Sequence, residues 1–183
     1  MQDIDKQALL VVARESIKTY FSEDEPDVSD VKHLDEKQGV FVTLTKLGEL
    51  RGCIGFPQAV MPLYNAVIEA ARSAAFDDSR FPVVTKDELS NIKIEISVLS
   101  VPELIQVEKA EDYMKEIKIG EDGLILRSIY GSGLLLPQVA TEHHMTISQF
   151  LNALSQKAGL SFDAWKDLKN QIFKFQAEVF SEK

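Results

Sequence analysis

The chain has one cysteine, Cys53, three histidines, and no apolar run of the roughly 18–20 residues that a bilayer span requires. A single cysteine excludes an internal disulfide and a cysteine-rich zinc site, so nothing in the sequence calls for an oxidising compartment. Positive charge is scarce as well. The 20 Lys+Arg against 29 Asp+Glu leave a formal charge of −9, and an acidic chain repels phosphate backbones unless its cations gather on one face. The amino terminus, Met1-Gln2-Asp3-Ile4-Asp5, is acidic, and Arg14, Glu15 and Lys18 interrupt the apolar residues behind it. That pattern does not fit a secretory signal, and the cytoplasm is the expected location. What the sequence does hold is a globular composition: 45% hydrophobic and 27% charged residues over 183 positions. This suffices for a buried core in one domain, or one domain with a lobe.

Ile4, Ala8, Leu9, Val11, Val12, Ile17, Tyr20 and Phe21 recur at helical spacing and predict an amphipathic helix over 3–22. The acidic stretch Ser22–Asp27 then reads as a solvated loop. Gly39–Thr45 is rich in β-branched and aromatic residues, and the Lys46-Leu47-Gly48-Glu49 turn leads into a second run, predicting a β-hairpin. Pro62 suits the first turn of an alanine-rich helix through Ala75. Thr85-Lys86-Asp87-Glu88 has the form of a capping box, and Ile92–Leu99 alternates as a strand. Further along, the sequence predicts a helix over 108–116 and a hairpin from Leu124 to Leu136 turning at Tyr130–Gly133. A helix opened by Thr146–Gln149 and closed by Gly159, then a strand over 172–180, complete the pattern. Interspersed elements without a repeated βαβ unit predict an α+β fold: a mainly antiparallel sheet flanked by helices.

The most unusual string is Leu50-Arg51-Gly52-Cys53-Ile54-Gly55-Phe56-Pro57, where Gly52 and Gly55 bracket the cysteine beside an arginine. A strict period of two places Arg51 and Cys53 on one face. A guanidinium there would favour thiolate, and glycines would admit a close ligand. The competing reading makes Cys53 a small buried apolar residue, Arg51 the partner of a strand carboxylate, and the glycines a relief for a bulge. Glu95 alternates away from Ile92, Ile94 and Ile96 and is a candidate partner for Arg51. A nucleophilic Cys53 would need a base, for which His33, His143, His144 or Glu95 are available. His143 and His144 follow Glu142, but adjacent residues point apart, so no metal site is expected. Tyr130-Gly131-Ser132-Gly133 lacks the third glycine of a dinucleotide loop and the lysine of a P-loop, so no cofactor is expected either.

Gly39–Thr45 followed by Leu50-Arg51-Gly52-Cys53-Ile54-Gly55 resembles the signature of the AMMECR family, named for the Alport-syndrome, midface-hypoplasia and elliptocytosis chromosomal region. The resemblance continues through Pro62-Leu63, Ala70-Ala71, Ala74-Ala75, Asp78-Ser79-Arg80-Phe81-Pro82 and Ile94–Leu99. It resumes at Gly133–Ala140 with Glu142, and at Phe150-Leu151, Lys157–Leu160 and Trp165. Three positions depart from the family pattern: Ser79 and Val83 stand in a segment that commonly reads Asp-Pro-Arg-Phe-Pro-Pro, and Met145 stands where a tryptophan is usual. The resemblance implies one domain of this type over 1–183, with a larger lobe and a smaller one around the hairpin-rich segment. It implies no settled reaction. Bacterial and archaeal members are associated with partners resembling the Memo-type iron protein and a radical S-adenosylmethionine enzyme, which implies a modification pathway. The expected function is an accessory protein that binds a small anionic ligand or a partner through Arg51, Gly52, Cys53, Gly55, Arg80 and Glu95. The alternatives are an enzyme using Cys53 and a regulatory protein associated with nucleic acid, the last opposed by the net charge.

Overall fold

The computed structural model describes residues 1–22 and 24–183. The chain forms two compact units, Met1–Leu99 with Glu178–Lys183, and Ser100–Ala177.

In the first unit, helix α1 (Asp3–Tyr20) buries Leu9, Leu10, Val12, Ala13 and Ile17, one stripe of its 3.6-residue period. It ends two residues before the sequence expectation, and Glu23 of the acidic loop lies outside the described residues. Strands β1 (Gly39–Lys46) and β2 (Glu49–Phe56) form the expected antiparallel hairpin. Both turn residues, Leu47 (φ 55°) and Gly48 (φ 86°), are left-handed, the conformation whose twist matches paired strands. Helix α2 (Leu63–Phe76) follows Pro62, and strand β3 (Ile92–Leu99) pairs with β1, giving the order β2-β1-β3 with β2 outermost.

Val40, Val42 and Leu44 of β1 and Ile92, Ile94, Ile96 and Val98 of β3 share one core with Ala66, Val67, Ala70, Ala71 and Ala74 of α2 and the buried stripe of α1, with α2 over β1 and α1 over β3. Each large aliphatic side chain so buried contributes about 1.5–3 kcal/mol. The Thr85–Glu88 capping box is present and opens a 3₁₀ turn, Lys86–Asn91. The C-terminal residues complete this unit. The Glu182 N–H donates to the Ile94 carbonyl (3.0 Å), and the Glu182 carboxylate accepts from the Ile94 N–H (2.9 Å) and the Arg14 guanidinium.

The second unit begins with the short strand β4 (Glu103–Leu104). The helix expected over 108–116 is a 3₁₀ turn, Ala110–Asp112, running into the single turn α3 (Tyr113–Glu116). Tyr113 and Ile117 are the only fully buried anchors there, too few to hold a longer helix. Strands β5 (Asp122–Ser128) and β6 (Gly131–Leu135), helices α4 (Pro137–Glu142) and α5 (Ile147–Lys157), and strand β7 (Gln171–Ser181) follow. The β5–β6 hairpin turns at Ile129-Tyr130, earlier than the glycines suggested. Gly131 and Gly133 lie inside β6 because a Cβ at either would collide with the backbone around Ala158 at the end of α5. Thr146 caps α5 as expected, and Gly159 (φ 77°) follows its end.

Strand β7 pairs with β4 and β5, and every described ladder is antiparallel. The core here is Leu124, Leu126, Phe150, Leu151, Leu154, Trp165 and Ile172. The fold is α+β. Among the described residues, no helix is long and apolar enough to cross a membrane.

Candidate functional site

The signature string lies on β2, and its period of two breaks at Arg51. Gly52 stands opposite Leu44 and Leu50 opposite Thr45, so Arg51 is an extra residue with no partner on β1, a β-bulge. The bulge sends the arginine away from the cysteine. Its Nε and Nη2 donate to the Glu88 carboxylate (3.3 and 3.1 Å), which also accepts from Lys46 Nζ (2.8 Å). Lys46 continues the row of Val40, Val42 and Leu44, the face covered by α2. Glu88, rather than Glu95, is therefore the partner of Arg51. Hydrogen bonds from Arg51, then from Lys46 and the Thr85 N–H, lower the Glu88 pKa to about 2 against the cost of burial. Arg51 Nη1 is buried without a hydrogen-bond partner among the described residues.

Gly52 faces α2, and a Cβ there would collide with the Ala74 carbonyl oxygen, so glycine sets how near the helix lies to the strand. Cys53 faces the other way, half-buried, opposite Thr43, whose hydroxyl donates to its Sγ (3.3 Å). Glu95 lies opposite Thr43 on the far side. Thr43 thus stands between the thiol and that carboxylate. At Gly55, a Cβ would collide with the Val40 carbonyl and the Phe41 ring.

Because β2 is outermost, the Cys53 backbone needs partners beyond the sheet. The segment after α2 supplies them. Asp78 accepts from the Cys53 N–H (2.8 Å), the Arg80 N–H (3.2 Å), Arg80 Nε (2.9 Å) and Arg80 Nη2 (2.7 Å). Arg80 Nη2 also donates to the Cys53 carbonyl (3.1 Å). The side chain of Asp78 is 4% exposed and that of Arg80 56% exposed. The hydrogen-bonded Arg80 guanidinium holds the Asp78 carboxyl far below the usual carboxylate range, outweighing the effect of burial. Asp78 in turn raises the pKa of Arg80 through its hydrogen bonds to the guanidinium. Arg80 also lies 5.4 Å from the centre of the Phe81 ring. Its Nη1 makes no hydrogen bond among the described residues. The structure thus places Arg80 beside Cys53, with Arg51 and Glu95 engaged or positioned elsewhere.

Sequence reasoning named Arg80 but missed Asp78 and Thr43. A strand-parity argument cannot see Asp78, which acts on backbone atoms of an edge strand. Thr43 was visible in principle, since a tight hairpin fixes which residue faces Cys53. His33 Nε2 lies 3.0 Å from Asp5 Oδ1. His143 and His144 are exposed at the end of α4, with His144 at φ 49°. Among the described residues no histidine is hydrogen-bonded to Cys53, and no group of three His, Cys, Asp or Glu is placed to hold a metal ion. Chemically, the edge offers a guanidinium fixed on three sides with one face open, next to a half-buried thiol.

The sequence profile of the AMMECR1 family matches residues 10–180. A protein of Methanothermobacter thermautotrophicus is 48% identical over 160 residues, covering 87% of this chain and 81% of its own length. A protein of Pyrococcus furiosus is 46% identical over 182 residues, covering 95% of this chain and 86% of its own. The crystal structure of an uncharacterised protein from Pyrococcus horikoshii superposes with a TM-score of 0.91 at 42% identity, covering 100% of this chain and 94% of that one.

Proposed function

The chain belongs to the AMMECR1 family, and from that premise we propose that it is a non-catalytic accessory protein which receives an anionic group at the outer edge of β2. The observation that carries this reading is the state of Arg80. Its guanidinium is fixed by Asp78 and by the Cys53 carbonyl, yet more than half of the side chain is open to solvent. Its Nη1 keeps both donors for a carboxylate or phosphate, and a guanidinium already held in place loses little freedom on meeting one. The anionic group belongs to a small ligand or is presented by a partner protein in the cytosol. The Memo-type iron protein and the radical S-adenosylmethionine enzyme implied by the family resemblance are the partners proposed.

Thermal-shift measurements with an acetate, phosphate, citrate and pyruvate panel, and pull-downs with the two partner types, test the reading. The wild type should show a ligand shift or capture that Arg80→Ala abolishes and Cys53→Ala retains. Equal binding by wild type and Arg80→Ala would sink it.

A second reading, chemistry at the Cys53 thiol, draws on its surroundings: the Thr43 hydroxyl donates to the sulfur, and the Arg80 guanidinium is bonded to the carbonyl of the same residue. Iodoacetamide labelling faster than that of a free thiol would favour it, and slower labelling would remove it.

A further inference from the structure

The second unit contains a polar cleft of about 320 Å³, lined by Glu103, Lys118, Asp122, Lys174 and Gln176. Its origin lies in the ladders of β4, β7 and β5. Ile172 stands opposite Leu126, Lys174 opposite Leu124 and Glu103, and Gln176 opposite Asp122. The period of two puts Ile172, Lys174 and Gln176 on the sheet face that Leu124 and Leu126 bury in the apolar core. Along that face the chain passes from Ile172–Leu126, wholly apolar, to Gln176–Asp122, wholly polar.

Two features distinguish the cleft from an ordinary polar rim. Asp122 is only 4% exposed, and although its Oδ2 accepts from the Lys118 N–H (2.9 Å), its Oδ1 has no partner among the described residues. The unpartnered oxygen belongs to a side chain that lines the cleft, where it can accept from a positive group. Moreover, the opposite charges in the cleft do not neutralise one another. Glu103 is directly across the ladder from Lys174, yet Lys174 Nζ donates to the Glu116 carbonyl (3.2 Å), and Lys118 Nζ lies near Glu121 (3.4 Å). Among the described residues no ion pair joins Glu103 or Asp122 to either lysine.

Both signs of charge held apart in one small cleft complement a small molecule that carries both. We propose that this cleft binds a free α-amino acid, its carboxylate toward Lys118 and Lys174 and its ammonium toward Asp122 and Glu103. The volume is at the low end for ligand clefts, and Phe175 is the one apolar residue in the lining, which selects a short or polar side chain.

Amide NMR titration of the full chain with glycine, L-serine and L-glutamine tests the assignment. Ethanolamine and L-glycerate serve as serine analogues lacking the carboxylate and the ammonium, respectively. Saturable shifts are expected at Ser100, Glu103, Lys118 and Gln176 with at least one amino acid, and binding about tenfold weaker or less with either analogue. Asp122→Asn keeps an oxygen for the Lys118 N–H, so the loop should persist, and Lys174→Met keeps the stem. Each should weaken binding about tenfold without moving the β1–β2 signals. No saturation by any of the three amino acids up to about 10 mM, glycerate binding as tightly as serine, or undiminished binding by Asp122→Asn would overturn the proposal.

Discussion

Replacing Asp78 with asparagine should cost the first unit about 3 kcal/mol, and the figure follows from what each atom of the side chain does. The carboxylate accepts four hydrogen bonds, one from the Cys53 N–H and three from Arg80. Asparagine supplies one acceptor oxygen and an amide that only donates. If its oxygen stays with Arg80 Nε, its amide meets the Cys53 N–H and Arg80 Nη2, donor against donor. Arg80 is 56% exposed and can recover its hydration by turning outward, so its bonds recoup part of their loss. The Cys53 N–H has no such exit, and leaving it unsatisfied costs about 1–3 kcal/mol. With one charge-assisted bond lost as well, at about 1.5–3 kcal/mol, the total lies near the stated value.

Urea unfolding read from the β1 and β2 amide signals should show the midpoint fall by about 1–2 M at unchanged slope. Acid provides an independent check of sign. A carboxyl whose folded pKa is depressed stabilises fully above its unfolded value, near 3.9, and loses that contribution as pH falls toward the folded value. The gap between wild type and variant should therefore be complete at neutral pH and shrink below about pH 4. A gap under about 1 kcal/mol at neutral pH, or one that stays constant through the acid range, would refute the reasoning.

Glu88→Gln should behave similarly over a different window: its stabilisation is complete above the unfolded pKa near 4.3 and disappears as pH approaches about 2, so wild-type and variant melting curves should converge there. Gly52→Ala should cost about 3 kcal/mol by forcing α2 off the sheet, whereas Gly48→Ala, in open space at φ 86°, should cost about 1 kcal/mol of backbone strain; the order of their urea midpoints checks the packing argument. Thr43→Val removes the hydroxyl that donates to Cys53, so iodoacetamide labelling should slow severalfold, and an unchanged rate would show that this bond has no part in the reactivity of the thiol.

Elements whose signal is local were legible before the structure. The Leu47-Gly48 turn, the capping boxes at Thr85 and Thr146, and the alternation of Ile92–Leu99 each draw on residues a few positions apart. The glycines of β6 were misread because their chemistry is long-range. They clear space for the backbone at Ala158, and nothing adjacent in sequence distinguishes that need from a turn. The candidate site failed for the same reason at one position. Parity placed Arg51 beside Cys53, but the bulge depends on how β1 registers against β2. The glutamate that captures Arg51 was already visible as a capping residue. One carboxylate serving both a helix start and a strand arginine cannot be read from either motif alone.

The first unit is discontinuous along the chain. The strand end that donates to Ile94, and the carboxylate that ties Arg14 to β3, both come from Glu182, beyond the whole of the second unit. Glu178 likewise pairs with Lys6 (2.8 Å). During synthesis the β1–β2 hairpin and α1 emerge early, yet the outer edge of β3 waits until β4 through β7 have been made. Ile94 therefore spends that interval as an open strand margin on a nascent chain, the kind of surface to which chaperones and misassembled neighbours attach. The closing residues are thus a late latch on an early-forming unit, and shortening the chain before Glu178 would leave that margin permanently unsealed.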